Sequence, residues 1–176
     1  MNRFVAVVIA CAMIGGHLRA EESPKSAEVK KLATSMVEAT LKGEYAKVID
    51  HTYSKVVDLL GGREAAIKTT ETAMKQIKDQ GLVIKEFKVG EPGEFVSDET
   101  NTFVVIPTNT EMTLPLGTVK MKSYLLGISP DKGKTWTFID GSGLQNSTFK
   151  EKILPKVPEK LKLPELAKPE IIPNKK

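Results

Sequence analysis

The order of two hydrophobic periods most constrains what this chain can fold into. Apolar residues recur with a helical period over residues 26–80 and then with a strand period as far as Asp140. Periods of about 3.6 and 2 residues predict amphipathic helices and half-buried strands. Helices followed by an antiparallel meander predict an α+β domain, with the N-terminal helices packed in the concave face of a curved antiparallel sheet that encloses a pocket.

The first twenty residues are typical of a signal peptide. A short basic start at residues 1–3 precedes an almost wholly apolar run at residues 4–14, and Ala20 offers a small residue before a cleavage point. The apolar run is shorter than the roughly 20 residues that a membrane-spanning helix needs. We therefore expect an exported protein, periplasmic or extracellular, with no transmembrane anchor. A lipoprotein attached through Cys11 is the alternative.

Cysteine usage and charge exclude several classes of protein. Cys11 is the only cysteine, so the chain beyond the signal has no disulfide and no thiolate metal site. The formal net charge is +4, but residues 151–176 hold seven Lys and four Glu, so the preceding body is nearly neutral. A weakly charged body without a basic stripe argues against nucleic acid as a partner. We expect a signal peptide at 1–20, one domain at 21–148 and a Pro/Lys-rich extended tail at 149–176.

Capping residues and glycines delimit three predicted helices. The first helix begins at Pro24 or Ser26 and ends at Gly43. The second runs from Tyr45 to His51, and the third lies between Gly62 and Gly81. The strand-period segments that follow cover residues 82–89, 95–96, 103–106, 119–128 and 135–140. Pro107 predicts a bulge or an edge position, because proline cannot donate a hydrogen bond to a neighbouring strand. The last predicted strand carries bulky residues on both faces, so the sequence does not decide which of the two faces the core.

Residues 129–136, Ser-Pro-Asp-Lys-Gly-Lys-Thr-Trp, predict a tight hairpin. Ser129 and Asp131 can accept hydrogen bonds from nearby backbone amides, Gly133 permits positive φ, and Trp136 can anchor the turn against the sheet. The pattern resembles the Asp-box hairpin of sialidase-type propellers. A propeller also needs repeats at a fixed period, which this chain lacks, so the segment is interpreted as a structural turn.

Residues 27–144 resemble the nuclear-transport-factor-2-like superfamily, which includes ketosteroid isomerases and SnoaL-type cyclases. The resemblance rests on element order and on four short segments: residues 41–45, 51–53, 61–64 and 136–140. It implies a cone-shaped, cystatin-like roll whose sheet wraps around the helices and leaves an apolar cavity. It also implies a homodimer formed through the outer face of the sheet. Because this fold serves enzymes and non-catalytic domains alike, function depends on the site residues.

Five residues are candidates for lining the pocket. Isomerase-like chemistry would use Asp140 as base, Tyr53 and Tyr124 as donors, and His51 as base or donor. Each has a structural alternative: Asp140 can bond the turn after it, His51 can cap a helix, and the tyrosines can be core residues. Trp136, the fifth, is equally suited to packing. His51 is the only histidine beyond the signal, so we expect no metal site and no cofactor.

The tail contains regularly spaced prolines, which favour an extended conformation over a helix. Its composition is compatible with a flexible tail, whereas its leucines and isoleucines favour an arm that lies along this domain or a partner. Three functions follow. The first is an exported non-catalytic domain that binds a small apolar ligand or a protein partner in the pocket. The others are an isomerase- or hydrolase-like enzyme using Asp140 with His51 or Tyr124, and an envelope scaffold that acts through the tail.

Overall fold

The computed structural model describes residues 24–154 and 157–174. The predicted signal peptide and Cys11 lie outside these residues. The described helices are α1 (Pro24–Lys42), α2 (Tyr45–Asp50), α3 (Ser54–Leu59), α4 (Arg63–Asp79) and α5 (Ser147–Ile153), with a short 3-10 helix at Gly143–Gln145. The strands are β1 (Val83–Val89), β2 (Val96–Ser97), β3 (Thr102–Leu114), β4 (Gly117–Ser129), β5 (Thr137–Asp140) and β6 (Glu170–Pro173). None of these helices is long and apolar enough to cross a membrane.

The sheet is built around one long hairpin. Strands β3 and β4 pair antiparallel along their whole length, and Leu114 pairs with Gly117 across a two-residue turn. Strands β1 and β2 both pair with β3, while β5 and β6 both pair with β4. Every pairing is antiparallel. The expected α+β class, with helices first and an antiparallel sheet after them, is confirmed.

Local sequence signals explain most element boundaries. Helix α1 ends at Gly43 and helix α4 is followed by Gly81, and both glycines have φ of 75°. Pro107 lies inside β3, and its carbonyl accepts a hydrogen bond of 2.7 Å from the amide of Gly90, just beyond β1. Pro107 lies in a central strand and pairs in unbroken register with Tyr124, so the predicted bulge or edge position is wrong; its missing donor faces the chain between β1 and β2, which belongs to neither strand. The irregularity in register lies in β1, between Ile84 and Glu86.

The two faces of the sheet carry separate apolar cores. On the helix-facing side, α1 packs on the sheet, and the buried residues are Val29, Ala33, Val104, Ile106, Leu125, Trp136 and Phe138. On the tail-facing side, the buried residues are Phe103, Tyr124, Leu126, Ile128, Ile139, Leu144, Ile153, Leu154 and Leu161. Alternate residues of each strand point to opposite faces. Both faces of the last strand are therefore inward, which answers the question that the sequence left open.

The chain after α5 lies along its own domain, which is one of the two alternatives that composition allowed. In the C-terminal arm, defined here as residues 157–174, Leu161 is buried in the tail-facing core and Val157, Leu163 and Leu166 pack against it. The arm ends in β6, which pairs with residues 117–120 of β4. Residues 149–153 are helical, so the extended conformation expected from residue 149 begins only after Ile153. The arm covers part of the sheet face through which the resemblance implied dimerisation.

The predicted hairpin at residues 129–136 forms through its own side chains. The Asp131 carboxylate accepts hydrogen bonds from the amides of Lys134 (3.0 Å) and Thr135 (2.8 Å) and from the Thr135 hydroxyl (2.7 Å). These bonds lower the pKa of Asp131 to about 2. The Ser129 hydroxyl accepts a bond of 2.7 Å from the Gly133 amide. Gly133 has φ of 94°, as the turn required.

Candidate functional site

The segment after α2 brings two of the predicted residues to the edge of β5. The carbonyl of His51 accepts a hydrogen bond of 2.8 Å from the amide of Phe138, and the amide of Tyr53 donates one of 3.0 Å to the Phe138 carbonyl. Thr52 thereby forms a parallel bridge with Phe138. His51 is half-buried and also closes α2 through its own amide. His51 therefore ends α2 through its backbone amide, whereas the predicted capping bond from its imidazole is not among the hydrogen bonds of the described residues.

Both predicted tyrosine donors belong to the tail-facing core. Tyr124 is almost fully buried there, and Tyr53 packs against the same cluster. Burial raises the pKa of both phenols, and the negative charge of Asp140 raises that of Tyr124 further. Both hydroxyls therefore stay protonated at neutral pH. The ring of Tyr124 also lies against Gly141, where an added Cβ would approach it to 2.7 Å.

Asp140, the predicted base, is exposed and serves the turn that follows β5. Its carboxylate accepts a hydrogen bond of 2.7 Å from the Ser142 amide and a second from the Ser142 hydroxyl. In the described part of the chain, no hydrogen bond joins Asp140 to His51 or to either tyrosine. An acid–base pair needs its members within hydrogen-bond reach or bridged by one water. The structure thus gives Asp140 a turn-forming role, and the described residues show no direct hydrogen bond within the predicted pairs.

Trp136 lies on the other side of the sheet from the tyrosines. It is buried in the helix-facing core, and its ring contacts Phe95 with 5.7 Å between centroids. Its indole nitrogen donates a hydrogen bond of 3.2 Å to the Gly133 carbonyl within the hairpin. The five predicted residues are therefore divided among the tail-facing core (Tyr53 and Tyr124), the helix-facing core (Trp136), the edge of β5 (His51) and the exposed turn after it (Asp140). Trp136 anchors the hairpin.

Besides a shallow groove along α1, three grooves among the described residues differ in how far their polar groups are already satisfied. Tyr53 lines a groove of about 650 Å³ whose rim includes Asp98, but that carboxylate caps its own turn through the amides of Thr100 and Asn101, which lowers its pKa. A second groove, of about 490 Å³, lies on the outer sheet face beside the arm. There Lys88 pairs with Glu86 at 2.7 Å, and Lys120 lies 3.7 Å from Glu111.

The third groove is apolar and lies where α1 and α4 end beside β1. This cleft, called the α1–α4–β1 cleft below, has a volume of about 360 Å³ and is lined by Thr40, Leu41, Lys42, Gly43, Tyr45, Met74, Ile77, Lys78, Leu82, Val83 and Ile84. Leu41 and Val83 line the same cleft and are 47% and 51% exposed. Binding pockets are commonly about 300–1,000 Å³ and mainly apolar.

Helix α4 explains why the cleft stays open. Of its 17 residues, Ala66 alone is buried, although Ile67, Met74 and Ile77 continue an apolar stripe along the same face. The stripe was visible in the sequence as the inward face of the third predicted helix. The sequence could not show that the apolar stripe of α4 is half-exposed, because its exposure depends on how closely β1 approaches the helix. The sequence therefore supplied the lining residues without indicating that they form a cleft.

The described residues contain no group of three or more His, Cys, Asp or Glu side chains that could hold a metal ion. The α1–α4–β1 cleft offers apolar side chains, two lysines and one tyrosine, which suit binding of an apolar group and provide no nucleophile with an adjacent base. Searches with protein-family models, among curated proteins and among solved structures find no match to this chain.

Proposed function

We propose that this protein is a non-catalytic binding domain that takes up a small apolar molecule in the α1–α4–β1 cleft. The observation that carries the proposal is the joint exposure of Leu41 and Val83 at a cleft of about 360 Å³, which is also lined by the apolar side chains of Met74, Ile77, Leu82 and Ile84. Leaving a large aliphatic side chain in water costs roughly 1.5–3 kcal/mol compared with burying it. A ligand that covers both side chains recovers part of that free energy.

The weak burial of α4 supports uptake at this position. A helix held by few buried side chains opens at a lower free energy than one packed in the core. Met74 adds an unbranched, polarisable side chain that adapts to ligands of different shape. Both features favour a site that adjusts to an apolar guest.

The proposal also includes three predictions made from the sequence: the position of the pocket, export and dimerisation. The resemblance to nuclear-transport-factor-2-like domains implies a pocket between the helices and the sheet, and the proposal assigns that role to the α1–α4–β1 cleft. The signal-like residues 1–20 assign the binding role to an exported protein. Dimerisation through the outer sheet face would use the half that the C-terminal arm leaves uncovered, around Lys88 and Lys122.

The two alternative functions have less support. The enzyme hypothesis requires Asp140 to meet His51 or Tyr124, whereas Asp140 bonds Ser142 in its own turn. The scaffold hypothesis requires a tail that is free to engage a partner, whereas Leu161 is buried in the tail-facing core. A binding domain without turnover accounts for both observations.

The test is a titration of the purified protein with Nile red, an uncharged apolar dye. We expect saturable binding with a blue-shifted emission, and Leu41→Glu should weaken it at least about ten-fold by placing a charge on the cleft wall. Leu59→Glu is the matched control, because Leu59 is a helix leucine of similar exposure (43%) outside the cleft. Absence of saturable binding, or equal effects of the two substitutions, would refute the proposal.

A further inference from the structure

Two lysines lie at the rim of the α1–α4–β1 cleft. Lys42 is the last residue of α1, and Lys78 lies in the last turn of α4. Both side chains line the same cleft, whose lining contains no Asp or Glu. The cleft therefore combines an apolar interior with a rim of one sign of charge.

The two lysines differ in their carboxylate partners: Lys42 pairs with Glu38 and, after Lys47, helps to lower the pKa of the Glu44 carboxyl, whereas Lys78 has no such partner among the described residues. Lys42 lies 3.6 Å from Glu38 on the preceding turn, and its side chain is 63% exposed. Lys78 forms no ion pair with any residue in the described ranges. The two ammonium groups thus remain available to an anionic group on a ligand.

Each lysine lies near the C-terminal end of its helix. Cations near a helix C-terminus are stabilised by the helix dipole, so each lysine also has a local structural role. That role acts separately in each helix and does not require the two helices to end at the same cleft. The structure brings the two C-terminal turns to one opening, where both lysines line the cleft.

We propose that the ligand of this cleft is an amphiphile with one anionic head, such as the carboxylate of a medium-chain fatty acid. This inference rests on the proposed apolar-binding function and specifies its ligand class. The chain occupies the space between Leu41, Ile77 and Val83, and the carboxylate lies between the Lys42 and Lys78 ammonium groups. Charge complementarity at the rim then sets the orientation of the ligand.

The test compares decanoate with decanol, which share one alkyl chain and differ in the charged head. We measure the dissociation constants of both by isothermal titration calorimetry on the purified protein and on Lys42→Gln/Lys78→Gln. The ratio of the decanol constant to the decanoate constant should fall about five- to ten-fold in the double variant, because each exposed charge pair contributes a factor of about two to five. High salt should lower the same ratio in the unsubstituted protein.

Lys68→Gln/Lys75→Gln is the matched control. It removes two exposed α4 lysines that do not line the cleft, and we expect the ratio to stay unchanged. An unchanged ratio in Lys42→Gln/Lys78→Gln, with both ligands still bound, would overturn the anionic head and retain the apolar cleft. If neither ligand binds the unsubstituted protein, both this inference and the proposed function fail.

Discussion

The two faces of the sheet are buried to a similar extent but are covered by different kinds of chain. A regular helix, α1, covers the helix-facing core through residues such as Val29 and Ala33. Helix α5 and the proline-containing C-terminal arm cover the tail-facing core. A helix satisfies its own backbone hydrogen bonds, whereas an extended arm must find partners for its backbone elsewhere. The arm does so by ending in β6, so anchors at both ends allow an irregular segment to cover a core.

Removing the cover of the tail-facing core should have the largest effect. Truncation after Lys150 deletes Ile153, Leu154 and Leu161, each of which stabilises the fold by roughly 1.5–3 kcal/mol through burial. We expect the free energy of unfolding in urea to fall by roughly 5 kcal/mol or more. Truncation after Pro169 removes β6 but leaves the buried arm residues, and should cost far less. An unchanged urea midpoint after the longer truncation would show that the arm adds no stability.

A pair of matched isoleucines tests whether α1 packs on its sheet face as well as α5 and the C-terminal arm pack on theirs. Ile106 on the helix-facing side and Ile128 on the tail-facing side are 0% and 1% exposed and lie on neighbouring strands. We expect Ile106→Ala and Ile128→Ala each to cost about 2–5 kcal/mol, because each leaves a cavity in a closed core. Urea unfolding measures both values. A clearly smaller loss for Ile128→Ala would mean that the arm collapses into the cavity or packs loosely.

Gly117→Ala should release the end of the arm with a smaller effect on stability. A Cβ at Gly117 would overlap the carbonyl oxygen of Ile172, which belongs to the backbone of β6. We expect faster hydrogen exchange at the amides of residues 118–120, with no change around Val104 on the helix-facing side. The cost should stay below about 2 kcal/mol, because β6 is exposed along its length.

Leu116→Ala is the control for this substitution. Leu116 is 86% exposed in the same turn, and its replacement should change stability by no more than about 0.5 kcal/mol. Unchanged exchange at residues 118–120 in Gly117→Ala would contradict a tightly fitted β6.

The smallest expected effect concerns Asp131, whose hairpin carries Trp136 into the helix-facing core. Its pKa of about 2 is below the ordinary value, so folding favours the carboxylate. The associated stability is present above about pH 4 and is lost as pH falls towards about 2. Melting temperatures measured across this range should decline less steeply for Asp131→Asn than for the unsubstituted protein. Asp79→Asn, at the end of α4, is the control; equal slopes for all three proteins would contradict this role.

Local interactions explain which parts of the fold the sequence predicted. The hairpin at residues 129–136 was predicted because Asp131 and Ser129 bond atoms within six residues of themselves. The ends of α1 and α4 were predicted from glycines that terminate helices. Helix α3 was missed because it has only six residues, too few for an apolar stripe to stand out, although Val56 packs against the tail-facing core. Helix α5 was missed beside the prolines of the tail, although Asn146 caps it by accepting a bond from the Phe149 amide.

The candidate site was less predictable because it depends on distant parts of the chain. His51 and Tyr53 lie beside β5 because Phe138 pairs with their backbone, a contact that the sequence did not predict. The α1–α4–β1 cleft joins Leu41, Ile77 and Val83, which come from three separate elements. Periodicity identifies the apolar face of each element but not the distance between elements. The width of the opening is therefore a tertiary property.

The position of the arm along the chain has a consequence for biosynthesis. Phe103 and Tyr124 emerge from the ribosome well before Leu161, which helps to cover them. During that interval the helices and the central hairpin are complete while one apolar sheet face is bare. Transiently exposed apolar surface of this kind attracts chaperones and promotes aggregation. Each newly made chain therefore passes through a stage in which chaperones can bind its exposed apolar sheet face.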